Sequence, residues 1–497
     1  MNISMFLQMA AETFPERIAV SNPDGHYSYG QLYDAAQAAA GLMRESACRY
    51  VVVLDTSSAA LPIALMGAAM AGLPYVPLNY RLTEPELQAL MDRVKPALLI
   101  GSPDLLEKLG NQSDTRVLTR EAFLAQTLES DDRSDEVAED PDAVAVQLFT
   151  SGTTGAPKAA ILRHENLVSY ILGTVEFMSA EEEEATLVSV PPYHIAGISA
   201  LMSSIYACRR IVQLPNFEAE AWLETCHREG VTNAFVVPTM LSRIIAHLDH
   251  HPGAMPPPSI RAIAYGGGKM PMPVVESALT HFPGVNFTNA YGLTETSSTI
   301  ALLDPEDHRI AFASDDPVIR HRLASVGKAL PSVEIEVRDD AGNVLGPNEH
   351  GEIYVRGPQV SGEYLERRAI GDDGWFPTRD AGYIDEHGYI HLGGRADDII
   401  VRGGENISPS EIEDVLLDHP AIMDIAAVGI PSEEWGEAVG AVVVLKEGAT
   451  ADVGELQAMV RKALRSSRVP ERILFVDELP YNETGKLLRR LVKRYFD

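Results

Sequence analysis

The chain has 497 residues, more than one hydrophobic core usually serves, so two or more domains are expected. Hydrophobic residues make up 45% and charged residues 22%, an ordinary globular balance. With 40 Lys and Arg against 71 Asp and Glu, the net charge of −31 argues against nucleic acid or an anionic membrane as the partner. A phosphorylated small molecule, which a few local donors can hold, is still allowed.

The first twenty residues carry no basic segment before an apolar stretch, so no signal peptide is expected. Cys48, Cys208 and Cys226 are too far apart for a CxxC metal pair or a disulfide framework, which suits a reducing cytoplasm. Helical spacing covers residues 29–43, a short apolar strand 50–55, a packed helix 58–71 and another strand 97–101. Residues 56–80 carry no charge and are long enough to span a bilayer. Pro62, Pro74 and Pro77 interrupt them, however, and Ala and Gly are frequent, which predicts a buried helix and a strand with no membrane span. Helices interleaved with short Val/Ile/Leu runs indicate an α/β fold with parallel-rich sheets. The acidic stretch 129–142 and the four glutamates 181–184 are expected to be solvated surface.

Further on, Gly393, Gly394, Gly403 and Gly404 crowd around residues 395–398, and the rhythm changes. A helix over 410–417, strands over 425–429 and 439–445, and a helix over 453–464 predict a small α+β C-terminal domain. The expected division is 1–395 and 396–497.

The most informative segment is a strand over 144–149 that runs into Thr150, Ser151, Gly152, Thr153, Thr154 and Gly155, with Lys158 three residues on. Small residues let backbone N–H groups approach phosphate oxygens, hydroxyls add donors, and the lysine adds charge. The spacing is not GxxxxGK[ST], so this is no Walker loop.

This segment resembles the phosphate-binding signature of the adenylate-forming superfamily, which includes acyl-CoA synthetases, luciferases and peptide-synthetase adenylation domains. Further matches follow in the family's order. Residues 291–296 (YGLTET) resemble its YGxTE motif, 351–357 (GEIYVRG) its GEIxxxG strand and 378–380 (TRD) its TGD. Residues 394–400 (GRADDII) resemble its hinge, and 482–486 (NETGK) its closing lysine. Together they are in register over about 340 residues.

The resemblance implies a large α/β domain with a small mobile lid, and an ATP-dependent acid:CoA ligase that makes an acyl-AMP, releases pyrophosphate, and then forms a thioester. Such a reaction joins two anions, so positive charge is needed where negative charge gathers. Lys486 corresponds to the lysine that bridges the acyl carboxylate and the α-phosphate. Glu295 corresponds to the Mg²⁺ ligand, with Thr294 and Thr153 or Thr154 adding hydroxyls. Asp380 corresponds to the ribose acceptor, preceded by Arg379 where the family usually has Gly. Arg395 is expected to reach ribose or phosphate. Gly266, Gly267 and Gly268, with Asn289, Ala290, Tyr291 and Gly292, resemble the segments around adenine. His194 holds the position between acyl pocket and pantetheine tunnel, Asp397 the hinge, and Gly404 and Trp435 resemble coenzyme A contacts. Glu471 stands where the family often has Lys or Arg.

ATP, coenzyme A, Mg²⁺ and a small carboxylic acid are thus the implied partners, with monomer and homodimer both open. Ile195 replaces the Asp with which amino-acid-activating relatives hold an α-ammonium, which disfavours α-amino acids. A stand-alone module loading a carrier protein, a luciferase-like oxygenase and a non-catalytic nucleotide-binding scaffold are the alternatives. By analogy the acyl pocket is lined near His194, 235–239, 266–268 and 290–293. These segments are apolar and small and hold no Arg or Lys, although Lys269 adjoins one. An aromatic, alicyclic or medium-chain monocarboxylic acid is expected.

Overall fold

The computed structural model describes residues 1–22, 25–130, 133–134, 136–150, 157–403, 405–481 and 487–496, without the side chains of Asp397 and Asn406. Among these residues, nine strands form one sheet, eight a second and four a third, all before residue 396. The largest sheet has a parallel centre in which Ile18–Asn22, Arg210–Gln213, Ala185–Val188, Asn233–Val236, Ala262–Gly266 and Asn286–Leu293 are successive neighbours. The second runs parallel through Thr115–Thr119, Ala97–Gly101, Tyr50–Leu54, Tyr75–Pro77 and Val144–Thr150, then turns antiparallel at Lys158–Arg163. Parallel strands buried on both faces demand near-continuous apolar runs, which is how Tyr50–Leu54 and Ala97–Gly101 are written.

The two large sheets share one core, filled in part by the helices Tyr29–Glu45 and Ala60–Ala71. The first starts at a capping box in which Ser28 and Gln31 satisfy each other's backbone N–H. The second is buried on nearly every side, which is the reason residues 56–80 lack charge. Gly67 lies so close to the first helix that a Cβ there would stand 2.7 Å from Cβ of Ala39, and the Ala-rich composition of both helices allows that approach. No helix among the described residues is long and apolar enough to cross a membrane.

The described residues of the acidic stretch 129–142 lie outside helix and strand but are not a free linker. Arg44 donates to Oγ of Ser134 (2.6 Å) and to the carbonyl of Glu136 (2.6 Å). Asn2 and Ala138 are likewise joined by a 3.0 Å bond from Asn2 Nδ2 to the Ala138 carbonyl. Charge faces solvent here while the segment is tied to the helix Tyr29–Glu45 and to Asn2 near the N-terminus.

The four-stranded antiparallel sheet Glu334–Arg338, Gly351–Arg356, Phe376–Ile384 and Ile390–Arg395 leads to the C-terminal region. There, Gly436–Leu445 is the central strand of a separate sheet and Ile422–Ser432 pairs with it along one edge. Ile425, Ala427, Val439, Ala441 and Val443 point into a core with Ile412 and Leu456, whereas Ala426, Val428, Val442 and Val444 point to the other face and meet Leu479, Val492 and Phe496. The architecture is thus a large α/β domain followed by a smaller α+β one. The two touch where Lys269 Nζ lies 2.8 Å from Oδ1 of Asp414, which sits on the helix Pro409–Leu417.

Candidate active site

Thr150 and Lys158 are paired across an antiparallel hairpin, so the strands bracket the Thr/Ser/Gly segment. Ser151, Gly152, Thr153, Thr154 and Gly155 themselves lie outside the described residues, as do Gly404 and Lys486. Lys158 is exposed, with Nζ 5.7 Å from the centre of the Tyr364 ring.

The three glycines end the strand Ala262–Gly266. Gly266 pairs with Ala290 on the adjacent parallel strand, and a Cβ on it would fall 2.1 Å from the Ala290 carbonyl oxygen. Gly267 has φ +82°, a conformation that side chains disfavour. A flat backbone surface results at the carboxyl end of the parallel strands, where α/β sheets bind ligands. Asn289 donates to the Ser325 carbonyl at 3.1 Å, which fixes the next strand beside it.

That strand delivers Tyr291, Gly292 and then one 3₁₀ turn, Thr294–Thr296. Thr296 Oγ1 accepts from the Leu293 N–H (3.0 Å) and donates back to nearby carbonyls, locking the turn that carries Glu295. The Glu295 carbonyl accepts from the amides of Ser361 (2.9 Å) and Gly362 (3.0 Å). Its carboxylate accepts from the Tyr364 hydroxyl at 2.5 Å on Oε1.

Asp380 is held through both oxygens. The buried Tyr291 hydroxyl donates to Oδ2 at 2.7 Å, and Arg395 Nη1 to Oδ1 at 3.0 Å. The Arg395 guanidinium also reaches the Thr378 carbonyl at 2.9 Å. Asp380 and Arg395 face each other because their strands pair in that register. Burial, then Asp380, pushes the Tyr291 phenol well above its ordinary range, so it stays a donor. Arg379 adopts φ +62°, the left-handed conformation for which a glycine is the natural choice, so the departure from TGD keeps the glycine's backbone geometry.

His194 precedes the helix Ile195–Tyr206, and its Nε2 is buried with no hydrogen-bond partner among the described residues. Burial, with a smaller contribution from Arg81, lowers its pKa to about 4, so the imidazole is neutral at pH 7. Asp397 lies in the 3₁₀ turn Ala396–Asp398 that joins the two domains' sheets. Trp435, 39% exposed, accepts from the Gly403 N–H through its carbonyl (2.8 Å), and Arg402 lies 4.7 Å over its ring. Gly403 is therefore the described glycine against Trp435: a Cβ on it would stand 2.9 Å from the ring.

Glu295 thus meets Tyr364 and through it Lys158, and Tyr291, on the strand next to Gly266, meets Asp380 and through it Arg395, with Trp435 on the other domain. Sequence reading missed Tyr364, Ser361 and Gly362. Tyr364 follows the GEIYVRG strand by seven residues and belongs to no pattern that flags a ligand shell.

Fold and motif set together define an adenylate-forming enzyme. Residues 7–365 match the family model described as AMP-binding enzyme, and residues 411–486 that of the AMP-binding enzyme C-terminal domain. The chain is 35% identical to a 2-succinylbenzoate–CoA ligase of Geobacillus kaustophilus, covering 98% of this chain and 97% of the relative. It is 29% identical to an indoleacetate–CoA ligase of Aromatoleum aromaticum, covering 99% of each. The o-succinylbenzoate CoA synthetase of Bacillus subtilis, solved with its acyl-adenylate intermediate, superposes with TM-score 0.83 at 30% identity, over 98% of this chain and 97% of that one. An amide bond synthetase of Marinactinospora thermotolerans superposes with TM-score 0.86 at 28% identity, over 99% of each chain.

The chain belongs to the AMP-binding enzyme family, and it is an AMP-forming acid–thiol ligase.

Proposed function

We propose that the chain activates a monocarboxylic acid with an aromatic, alicyclic or medium-chain body and transfers it to coenzyme A. The acid's carboxylate attacks the α-phosphorus of ATP, pyrophosphate leaves, and the thiol of coenzyme A then displaces AMP from the acyl carbon. The observation that carries the reading is Asp380, a carboxylate fixed by Tyr291 and Arg395 beside a backbone floor that admits no Cβ at Gly266. A carboxylate so fixed accepts both ribose hydroxyls at once, and the Gly266–Gly268 segment takes the flat adenine.

In this reading the 151–155 segment and Lys158 hold the phosphates, and Lys486 neutralises the reacting oxygens. Arg395 keeps Asp380 oriented. Glu295 fits a Mg²⁺ site: a hard cation on phosphates takes one or two protein carboxylates, and Glu295 keeps one oxygen without a hydrogen bond among the described residues. Bound there, Mg²⁺ neutralises charge on the departing pyrophosphate. His194, neutral and with an unused nitrogen, lines the passage between acyl group and thiol without adding charge. The small domain, taken as 396–497, turns about Asp397 between adenylation and thiol transfer, bringing Gly404 and Trp435 to coenzyme A.

The preference for a single carboxylate rests on Lys269. It adjoins the pocket segment 266–268 and is paired with Asp414 at 2.8 Å, so in this domain pose it is already engaged. The test is an acid panel assayed for pyrophosphate release with and without coenzyme A, with products read by mass spectrometry. Benzoates, cyclic acids and C6–C10 acids should yield acyl-CoA, and dicarboxylates little. Acid-dependent pyrophosphate release without acyl-CoA would move the acceptor to a carrier protein, and no release at all would sink the reading.

A further inference from the structure

Tyr364 stands at the centre of a small arrangement that none of the motifs covers. Its hydroxyl donates to Oε1 of Glu295 at 2.5 Å, across 69 residues of sequence. The same chain segment grips the other end of Glu295, since the amides of Ser361 and Gly362 both donate to its backbone carbonyl. Glu295 is thus clamped by backbone and carboxylate from one neighbouring strand connection. Two cations lie over the Tyr364 ring, Lys158 Nζ at 5.7 Å and the Arg367 guanidinium at 5.5 Å from its centre. It lines a cavity of about 380 Å³ with Arg93, Pro157, Lys158, Glu366 and Arg367.

We propose that Tyr364 is the positioning residue for the magnesium-ligating carboxylate, holding Oε1 of Glu295 so that the other oxygen is presented to the cation. The inference rests on the reading of Glu295 as the metal ligand given above. The physical argument is preorganisation. A carboxylate on a short turn has freedom about its side-chain torsions, and a single strong acceptor contact to a half-buried phenol removes most of it. The ring meets Lys158 and the hydroxyl meets Glu295, so the side chain links the two.

The test is Tyr364→Phe in the full chain, which keeps the ring and both cation contacts and deletes only the donor. ATP binding is measured by calorimetry without acid substrate, in EDTA and across a Mg²⁺ titration. Outer partners of metal ligands carry about 10- to 100-fold in metal affinity, so half-saturating Mg²⁺ should rise roughly 10-fold while ATP affinity in EDTA stays within about twofold. A Mg²⁺ titration identical to the parent's would overturn the proposal, because packing by the ring alone survives in the Phe variant. Glu295→Gln separates the levels. If it too leaves the Mg²⁺ dependence unchanged, the assignment of Glu295 fails; if it abolishes that dependence while Tyr364→Phe does nothing, only the role of Tyr364 fails.

Discussion

Glu413→Ala should cripple the small domain from within. Glu413 and Arg489 form a two-pronged ion pair at 2.5 and 3.0 Å, with side-chain exposures of 6% and 12%. The guanidinium also donates to the Ala427 carbonyl at 2.7 Å, and the Ala427 N–H donates to Glu413 Oε1 at 2.8 Å. Burial alone would raise the Glu413 carboxyl, yet the charge and hydrogen bonds of Arg489 hold it below its usual range. Removing one partner of a buried pair strands the other charge, at a cost of about 3–5 kcal/mol. The orphaned Ala427 N–H overlaps with that cost and adds to it by up to about 1–3 kcal/mol. Against a domain stability of roughly 5–15 kcal/mol, that is enough to raise the open population at least about 10²-fold. Hydrogen exchange of the strand Ile422–Ser432, followed by mass spectrometry, reads it directly. Replacing both partners by apolar side chains, Glu413→Leu with Arg489→Met, should recover most of the loss, since a buried pair adds little beyond what it must compensate. Exchange in Glu413→Ala within a few-fold of the parent, or a double variant worse than the single, would refute the reasoning.

Three other outcomes are expected. Arg379→Gly should keep adenylation and change stability by no more than about 1 kcal/mol, because relief of the left-handed conformation is offset by a freer unfolded chain; Arg379→Val should lose roughly 1–3 kcal/mol, both read by urea denaturation. Gly266→Ala, whose Cβ would meet the Ala290 carbonyl at 2.1 Å, should slow ATP–pyrophosphate exchange by about 10²-fold as the adenine floor shifts. Stability should fall on acidification from pH 6.5 toward 4. His164, His194 and His391, each lowered to about 4 mainly by burial, bind protons in the unfolded chain first, so their contribution is lost across that window. Asp55, raised to about 6 by burial, acts oppositely between pH 6 and 4, as do Asp418 and Asp424, whose carboxyls burial also raises, while His308, lowered by burial, adds to the loss. The net loss is on the order of a few kcal/mol by pH 5, visible as a falling urea midpoint. A midpoint that rises on acidification would reverse the sign of the argument.

Local pattern made much of this chain readable. The helix expected over 29–43 runs Tyr29–Glu45, the strand over 97–101 matches Ala97–Gly101, and the helix over 453–464 ends one residue early at Ala463. Periodicity and capping act over a few residues, so they survive without tertiary knowledge. Strand ends were less accessible. The strands expected over 425–429 and 439–445 extend to Ile422–Ser432 and Gly436–Leu445, because pairing with each other carries them past their apolar centres. Contacts between distant segments left no trace in sequence. Tyr364 reaches Glu295 across 69 positions. Lys269 is tied to Asp414 by a pair that only domain packing creates. The neutral state of His194 depends on burial that composition does not report. The stapling of 129–142 by Arg44 and Asn2 likewise follows from where those two residues lie in space.

The most direct test of the account separates the two half-reactions in Lys486→Ala. Acid-dependent ATP–pyrophosphate exchange should fall by at least about 10²-fold, the scale for removing one partner of a developing oxyanion, while conversion of a preformed acyl-adenylate to acyl-CoA stays near the parent rate. Equal loss in both steps, or exchange that persists, would contradict the claim that this lysine serves adenylation alone.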